Sequence, residues 1–403
     1  MRKPPPIPIA RPCIANHERL AEDVTKILES GVLTKGRWLR EFEEKAAEYL
    51  GVKHAIAVSS GTTGLMLAYR ALKLHGEAIV PSFTFMATVS ALVWARVTPV
   101  FVESDFHTRN VDPQAVAGHI TPRTRAIVAV HNFGNPAPIG ELQEIAARHN
   151  LKLIFDAAHA FGATYQNQLV GGQGDVQVFS LSPTKLVVAG EGGIVATNRD
   201  DLARRLRLAR EYGNDGTYNS ILVGMNGRLP EISSLLAIES LRQLNSAVEN
   251  RNAYAGFYQE ELSKLPGIGF QKVRTDDRSV YKDFVITVDQ DQFGLNREEL
   301  MAALAAESIE TRSYYKPPVH LQTIYRRFAC QDLPVTNKLA QQCLSLPMWS
   351  QMEKGILERI CATIHDIHRN SERLRYQFAK TSQSPSHNIS TPRKARLLAG
   401  CEH

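Results

Sequence analysis

Phe179-Ser180-Leu181-Ser182-Pro183-Thr184-Lys185, followed by Glu191-Gly192-Gly193, is the stretch on which the fold turns. The apolar segment 175–182 reads as a buried strand that delivers a lysine to a loop, and a second apolar strand follows at 194–197. Twenty-nine residues before that lysine (185 − 156), another apolar strand ends in Asp156-Ala157-Ala158-His159. Outward from this stretch, apolar runs at 54–60, 78–82, 99–103, 125–131 and 151–156 read as strands. Amphipathic runs at 61–74, 87–94, 141–149 and 201–212 read as the helices between them. Strands separated by helices predict an α/β fold, with a mostly parallel sheet sandwiched by helices. Such a sheet gathers ligands at the C-terminal ends of its strands, where Ser60, Asp156 and Ser180 lie.

A long helical passage over 231–264, with a bend, connects this large domain to a smaller α+β unit. That unit has a strand at 283–288 and helices at 297–307 and 354–369. The expected division is an N-terminal segment 1–30, helical from 16 and packed beside the small unit, a large domain 31–248, a small domain 249–378 and a disordered tail 379–403. The tail is polar, Ser/Pro-containing and without apolar periodicity. With 43% hydrophobic and 22% charged residues in 403, the chain has ordinary globular composition and enough apolar mass for one large core and one smaller. Its net charge of +6 is modest and mixed with 41 acids, which is compatible with an anionic small molecule and weak as evidence for nucleic acid; none is expected as a partner. The basic run Pro392-Arg393-Lys394-Ala395-Arg396 reads as part of a solvated tail. Five scattered cysteines (Cys13, Cys330, Cys343, Cys361, Cys401) without CxxC spacing indicate neither a disulfide framework nor a metal site. Met1 to Pro6 leads into no apolar signal core, and no apolar run approaches a membrane span, so the expected location is the cytoplasm.

The chemistry follows from the strand ends. An acid at one and a lysine beyond another are the minimum equipment for pyridoxal 5'-phosphate, with Lys185 forming the Schiff base and Asp156 partnering the pyridinium nitrogen. Asp156 follows Leu153-Ile154-Phe155, and a carboxylate at the end of so apolar a strand needs a partner; a helix N-cap serves that need equally well. His159 stands one turn on, as a cofactor contact or a structural histidine. Ser59-Ser60-Gly61-Thr62-Thr63-Gly64 ends a strand and opens a helix, so its N–H groups and the Thr62 and Thr63 hydroxyls suit a phosphate; the same residues also make an ordinary N-cap and tight turn. Ser180 adds a hydroxyl from the next strand end, and Phe85 offers a ring for stacking or for the core.

In order and spacing these residues resemble the DegT/DnrJ-type sugar aminotransferases, a branch of the fold-type I pyridoxal phosphate enzymes. The resemblance covers nearly the whole chain before the tail. It runs from Gly31-Val32-Leu33-Thr34-Lys35-Gly36 through Pro81-Ser82-Phe83-Thr84-Phe85-Met86-Ala87-Thr88, Asp156-Ala157-Ala158-His159-Ala160 and Lys185. It continues through Gly224-Met225-Asn226-Gly227-Arg228 to Tyr314-Tyr315, His320 and Leu344-Ser345-Leu346-Pro347-Met348. It implies that Lys185 carries the cofactor, Asp156 binds the ring nitrogen, His159 sits near the ring hydroxyl and Phe85 stacks on the ring. It also implies that Gly61, Thr62, Thr63 and Ser180 hold the phosphate. Asn226 then reaches the phosphate of a neighbouring subunit, so the catalytic unit is a homodimer. Tyr314 and His320 lie in the stretch that lines the sugar pocket, and Lys35 and Lys316 are the candidate cations at its mouth.

The expected reaction is transamination. Glutamate or glutamine gives its amino group, the cofactor passes through its pyridoxamine phosphate form, and a nucleotide-linked keto-hexose accepts the nitrogen for amino-sugar biosynthesis. Relatives that dehydrate instead carry His in place of the lysine. The same-class alternative is a keto-cyclitol acceptor such as scyllo-inosose. The different-class alternative is a non-catalytic regulatory protein that binds the cofactor, and Lys185 argues against it.

Overall fold

The computed structural model describes residues 5–14 and 16–383. In the large domain the strands are β1 (His54–Val58), β2 (Glu77–Pro81), β3 (Thr98–Val102), β4 (Thr124–Val130), β5 (Lys152–Asp156), β8 (Val176–Ser180) and β9 (Gly193–Thr197); β6 (Thr164–Tyr165) and β7 (Gln168–Leu169) form a separate hairpin. The seven-stranded sheet runs β1-β9-β8-β5-β4-β2-β3. Only β9 is reversed, antiparallel to β1 and β8 on either side. The remaining neighbour pairs are parallel.

Helices α1 (His17–Ser30), α2 (Arg37–Leu50), α3 (Gly61–Ala71), α4 (Met86–Trp94), α5 (Pro113–Gly118), α6 (Ile139–Arg148), α7 (Asp200–Ala209), α8 (Glu231–Arg242) and α9 (Leu244–Leu262) accompany it. Apart from their ends and Gln177, the strands are apolar on both faces because both faces are covered. Ile56, Val58, Val80, Val128 and Val178 pack under α3, α4 and α7. The alternate residues Ala55, Ala57, Ile79, Ile127 and Phe155 pack under α2, α6 and α8. Helix α2, not anticipated, presents Leu39, Phe42, Ala46 and Leu50 to that second layer. Its N-terminus is closed by the buried Glu231 carboxylate, which accepts from Gly36 N (2.9 Å), Trp38 N (2.9 Å) and Leu39 N (3.1 Å). A Cβ at Gly36 would collide with that carboxylate, so close approach requires glycine here.

The small domain has the antiparallel sheet β10 (Ile268–Phe270), β11 (Phe284–Val288) and β12 (Cys343–Leu346), with α10 (Gln290–Phe293), α11 (Arg297–Ala306), α12 (Pro334–Gln342), α13 (Lys354–Arg369) and α14 (Ser371–Gln383). The passage over 231–264 bends at Gln243, between α8 and α9. Leu244 and Val248 of α9 belong to the large core, whereas Ala255, Tyr258 and Leu262 belong to the small one, so this helix is shared across the expected boundary at 248.

The N-terminal segment divides. Ile7 pairs with Ile309 and enters the small-domain core. Helix α1 instead packs Leu20 and Ile27 on Leu235 of α8, because its apolar stripe meets the large domain. At the other end α14 runs past the expected boundary at 378 to Gln383, since Leu374 and Phe378 continue an apolar stripe that packs on the small-domain core. The rest of the expected tail, 384–403, lies outside the described residues.

The domains are also joined by Arg109, buried in the turn after β3. It donates to the carbonyls of Val285 in β11 (2.6 Å) and Gly269 in β10 (3.5 Å). Gln271 returns bonds to the large-domain carbonyls of Thr108 (2.7 Å) and Asn132 (3.1 Å). Among the described residues, no helix is long and apolar enough to cross a membrane.

Candidate active site

The C-terminal ends of β1, β5 and β8 open into one cavity of about 390 Å³. Its walls carry Ser60, Gly61, Thr62, Phe85, Asp156, His159, Ser180 and Lys185, and the small domain adds Lys282, Arg312, Tyr314 and Tyr315. Lys185 stands on the loop between the antiparallel strands β8 and β9. That loop is tied at its base by Leu181 N to Gly192 O (2.9 Å) and Ala189 N to Leu181 O (2.9 Å). Burial, with help from the nearby Lys282 charge, lowers the Lys185 ammonium to about 7, against the pull of Asp283, Asp156 and Glu191. An amine that ionises near neutrality is available as a nucleophile.

Asp156 ends β5 and is 5% exposed. Thr88 Oγ1 donates to its Oδ2 (2.7 Å) and Ala158 N to its Oδ1 (3.1 Å). Burial raises its pKa, while those two hydrogen bonds and Lys185 oppose the rise. No cation forms an ion pair with it among the described residues, so this buried carboxylate keeps room for a cationic partner. His159 accepts from Phe133 N at Nδ1 (3.3 Å) and lies over the Phe133 ring. Burial, then the Lys185 and Lys282 charges, lower its pKa well below the usual histidine range. The imidazole is therefore neutral with its proton on Nε2, a hydrogen-bond donor at the cavity wall.

Helix α3 starts at Gly61, with Ser60 as its cap: Ser60 Oγ accepts from Thr63 N (3.0 Å). The N–H groups of Gly61 and Thr62 have no acceptor within their helix and face the same cavity as the Ser180 hydroxyl. A Cβ on Gly61 would lie 3.1 Å from that of Ser180, so only glycine lets the two strand ends approach without adjustment. Phe85, at the start of α4, keeps a large ring 52% exposed at the cavity edge. A free aromatic face, an anion-seeking helix end, an unpaired buried acid and a near-neutral lysine fit pyridoxal phosphate.

Several expected site residues stand elsewhere. Thr63 turns away, its hydroxyl bound to Ser59 (3.1 Å) and Ser60 (3.0 Å) within the cap. His320 is buried behind the site, where Ser82 Oγ meets its Nδ1 (2.6 Å) and it packs by Phe101; it joins a turn to the end of β2. Lys316 is exposed and paired with Glu298. Lys35 lies outside the cavity, paired with Glu211 (2.7 Å), which also binds Arg228 (2.9 Å). Asn226 is exposed beside the same Glu211, outside the cavity of its own chain. Tyr314 does line the cavity, and burial with the Asp283 charge pushes its phenol up.

Sequence reasoning missed Lys282, Asp283 and Arg312. Lys282 and Asp283, 5% and 6% exposed, form a buried ion pair with both contacts at 2.9 Å. The available signal was two adjacent opposite charges opening an apolar strand, where unpaired charge is costly.

Fold and site together define an aminotransferase of the fold-type I class. The pattern of the DegT/DnrJ/EryC1/StrS aminotransferase family matches residues 14–365, and the chain belongs to that family. It is similar to the GDP-perosamine synthase of Caulobacter vibrioides, 33% identical over 369 residues, covering 90% of this chain and 98% of that protein. It is also similar to the dTDP-3-amino-3,4,6-trideoxy-alpha-D-glucose transaminase of Streptomyces venezuelae, 36% identical over 348 residues, covering 85% and 90%. The crystal structure of DesI in the presence of its TDP-sugar product superposes with a TM-score of 0.88 at 35% identity, covering 94% of this chain and 96% of that one. The protein is thus a transaminase, of a family whose members depend on pyridoxal phosphate.

Proposed function

We propose that this transaminase moves the amino group of glutamate or glutamine to the keto group of a nucleotide-linked (deoxy)hexose, with pyridoxal phosphate held at Lys185. The observation that carries the reading is the convergence of Lys185, Asp156 and the start of α3 on one cavity. Gly61, Thr62 and Ser180 would hold the phosphate, Phe85 the ring face, Asp156 the ring nitrogen and His159 the ring hydroxyl. The cofactor supplies an electron sink for the carbon that exchanges nitrogen for oxygen. Asp156 would keep the ring nitrogen protonated, and Lys185 would move the proton at the reacting carbon as its free amine. The small-domain wall and the half-buried tyrosine, Tyr314, shield this proton transfer from bulk water.

Relatives named for GDP- and dTDP-linked sugars support the acceptor class. A homodimer is part of the same reading. Asn226 sits on a surface with Tyr218 98% and Val223 73% exposed, a concentration of apolar side chains suited to a second copy. The Lys35–Glu211–Arg228 cluster would travel with Asn226 towards the partner's site. The test is an acceptor screen with glutamate, read by mass spectrometry of aminated products. A keto-sugar nucleotide is expected to turn over best. Better turnover of scyllo-inosose than of any sugar nucleotide would overturn the acceptor assignment and leave the transaminase standing.

A further inference from the structure

We propose that Thr88, backed by Thr84, is a positioning residue that keeps Asp156 ionised and fixed in orientation for the cofactor's ring nitrogen. The inference rests on the reading above, in which Asp156 meets that nitrogen. A buried acid facing a pyridine ring offers two places for one proton. On the nitrogen, the proton makes an ion pair and an electron sink. On the carboxylate, it leaves both groups neutral and the sink weak. Burial alone favours the neutral pair. Besides Ala158 N (3.1 Å), the group in place to weight the charged pair is Thr88.

The run Thr84-Phe85-Met86-Ala87-Thr88 sets two hydroxyls four residues apart, at the first turn of α4. A helical threonine ordinarily bonds back to the carbonyl one turn earlier. Thr88 instead sends its proton out of the helix, to Asp156 Oδ2 at 2.7 Å, across 68 residues of chain. An ionised carboxylate only accepts, and a hydroxyl has one proton to give. Thr88 must therefore accept in its 2.9 Å contact with Thr84 Oγ1. The order of donation is then Thr84 to Thr88 to Asp156. The reverse order, with the proton on Asp156, would have to end on the Phe85 carbonyl, 3.4 Å from Thr84 Oγ1, a long and weak contact. The two hydroxyls thus favour the charged acid. Asp156, Thr84 and Thr88 are 5%, 1% and 0% exposed, so little water competes and the chain of donors counts for more. Thr88 and Ala158 N take one carboxylate oxygen each, which fixes the plane of the acid as well as its charge.

The test reads the proton directly, by nuclear magnetic resonance of bound cofactor carrying the heavy nitrogen isotope in its ring. The unmodified protein should show the pyridinium position. Thr88→Val keeps the shape and removes the donor. It should move the balance towards the neutral pair by about 10- to 100-fold, the weight of one hydrogen bond to a charge. The resonance should shift towards neutral pyridine and turnover should fall on the same scale, with an unchanged melting curve. Thr84→Val should act in the same direction by about 2- to 10-fold. Thr88→Ser keeps the hydroxyl and should restore the unmodified resonance. A resonance in Thr88→Val that coincides with the unmodified protein would overturn the proposal, as would an equal shift in Thr88→Ser, which would make packing the cause. If Thr88→Val melts early, Thr84→Val decides, and an unmoved resonance there overturns the chain of donors. Failure of the underlying reading is separate: borohydride would then fix no cofactor on Lys185 in the unmodified protein.

Discussion

The ionisation of Lys185 should be visible in how the protein captures its cofactor. An ordinary lysine at 10.5 has about one free amine in 3,000 at pH 7, whereas a group at about 7 is half free. Capture of pyridoxal phosphate by the cofactor-free protein should therefore rise with pH, reach half its plateau near 7 and level off above about 8.5. Lys282→Met removes the second cause of the depression and turns the unpaired Asp283 charge on Lys185. Both effects favour the ammonium, so the half-plateau point should rise by about one unit. At pH 7 capture should fall several-fold, by at most about tenfold, and at pH 9.5 the two proteins should converge. Removing both partners, in Lys282→Met/Asp283→Asn, cancels opposing influences and should return the midpoint towards 7. The assay is stopped-flow absorbance of the bound cofactor from pH 5.5 to 10, with melting curves to confirm folding. Identical midpoints in wild type and Lys282→Met, or a loss of equal size at every pH, would refute this electrostatic account.

Asp156→Asn should retain cofactor but lose about 100-fold or more in turnover, because a neutral ring nitrogen is a poor electron sink; near-normal rates would remove Asp156 from its role. Mixed dimers of an inactive Lys185→Ala chain and an Asn226→Ala chain should recover activity that neither homodimer has, since one site would keep both groups; a fully active monomer in light scattering would contradict the shared site. Glu231→Ala should destabilise the fold by about 2–4 kcal/mol in denaturant titration, since three N–H groups at the start of α2 lose a charged acceptor; a change under 0.5 kcal/mol, the scale of an ordinary surface substitution, would show that water replaces the carboxylate.

The strands of the large domain were legible because a sheet covered on both faces has no polar alternation to confuse the reading. Their ends then located Lys185, Asp156, Ser180 and the start of α3, all of which face one cavity. Helix α2 carried a regular apolar stripe, Leu39, Phe42, Ala46 and Leu50, that was there to be read. What stayed hidden depended on chain reversal over long distances. Lys282 and Arg312 reach the site from more than 90 residues beyond Lys185 (282 − 185 = 97), and charges at a strand margin read as solvated until the packing is known. His320 and Thr63 failed because other groups hold their side chains. Their sequence neighbourhood was right, but a hydrogen bond claims each side chain, across the fold to Ser82 for His320 and within the helix cap to Ser60 for Thr63. Lys35 and Asn226 lie on the outer surface, where a single chain has no cavity to offer them.

Arg109 makes the two domains one mechanical body. Swinging the small domain away would strip its buried guanidinium of the Val285 and Gly269 carbonyls and break the Gln271 bonds in the same motion. At about 0.5–1.5 kcal/mol net for each hydrogen bond exchanged for water, these bonds together oppose such a hinge movement. Traffic of donor and sugar then falls to the mouth beside Phe85 and Arg312, through motions of side chains and short loops. Exchange of one substrate for the other becomes a matter of rotamers, with the scaffold around Lys185 standing still through both halves of the cycle.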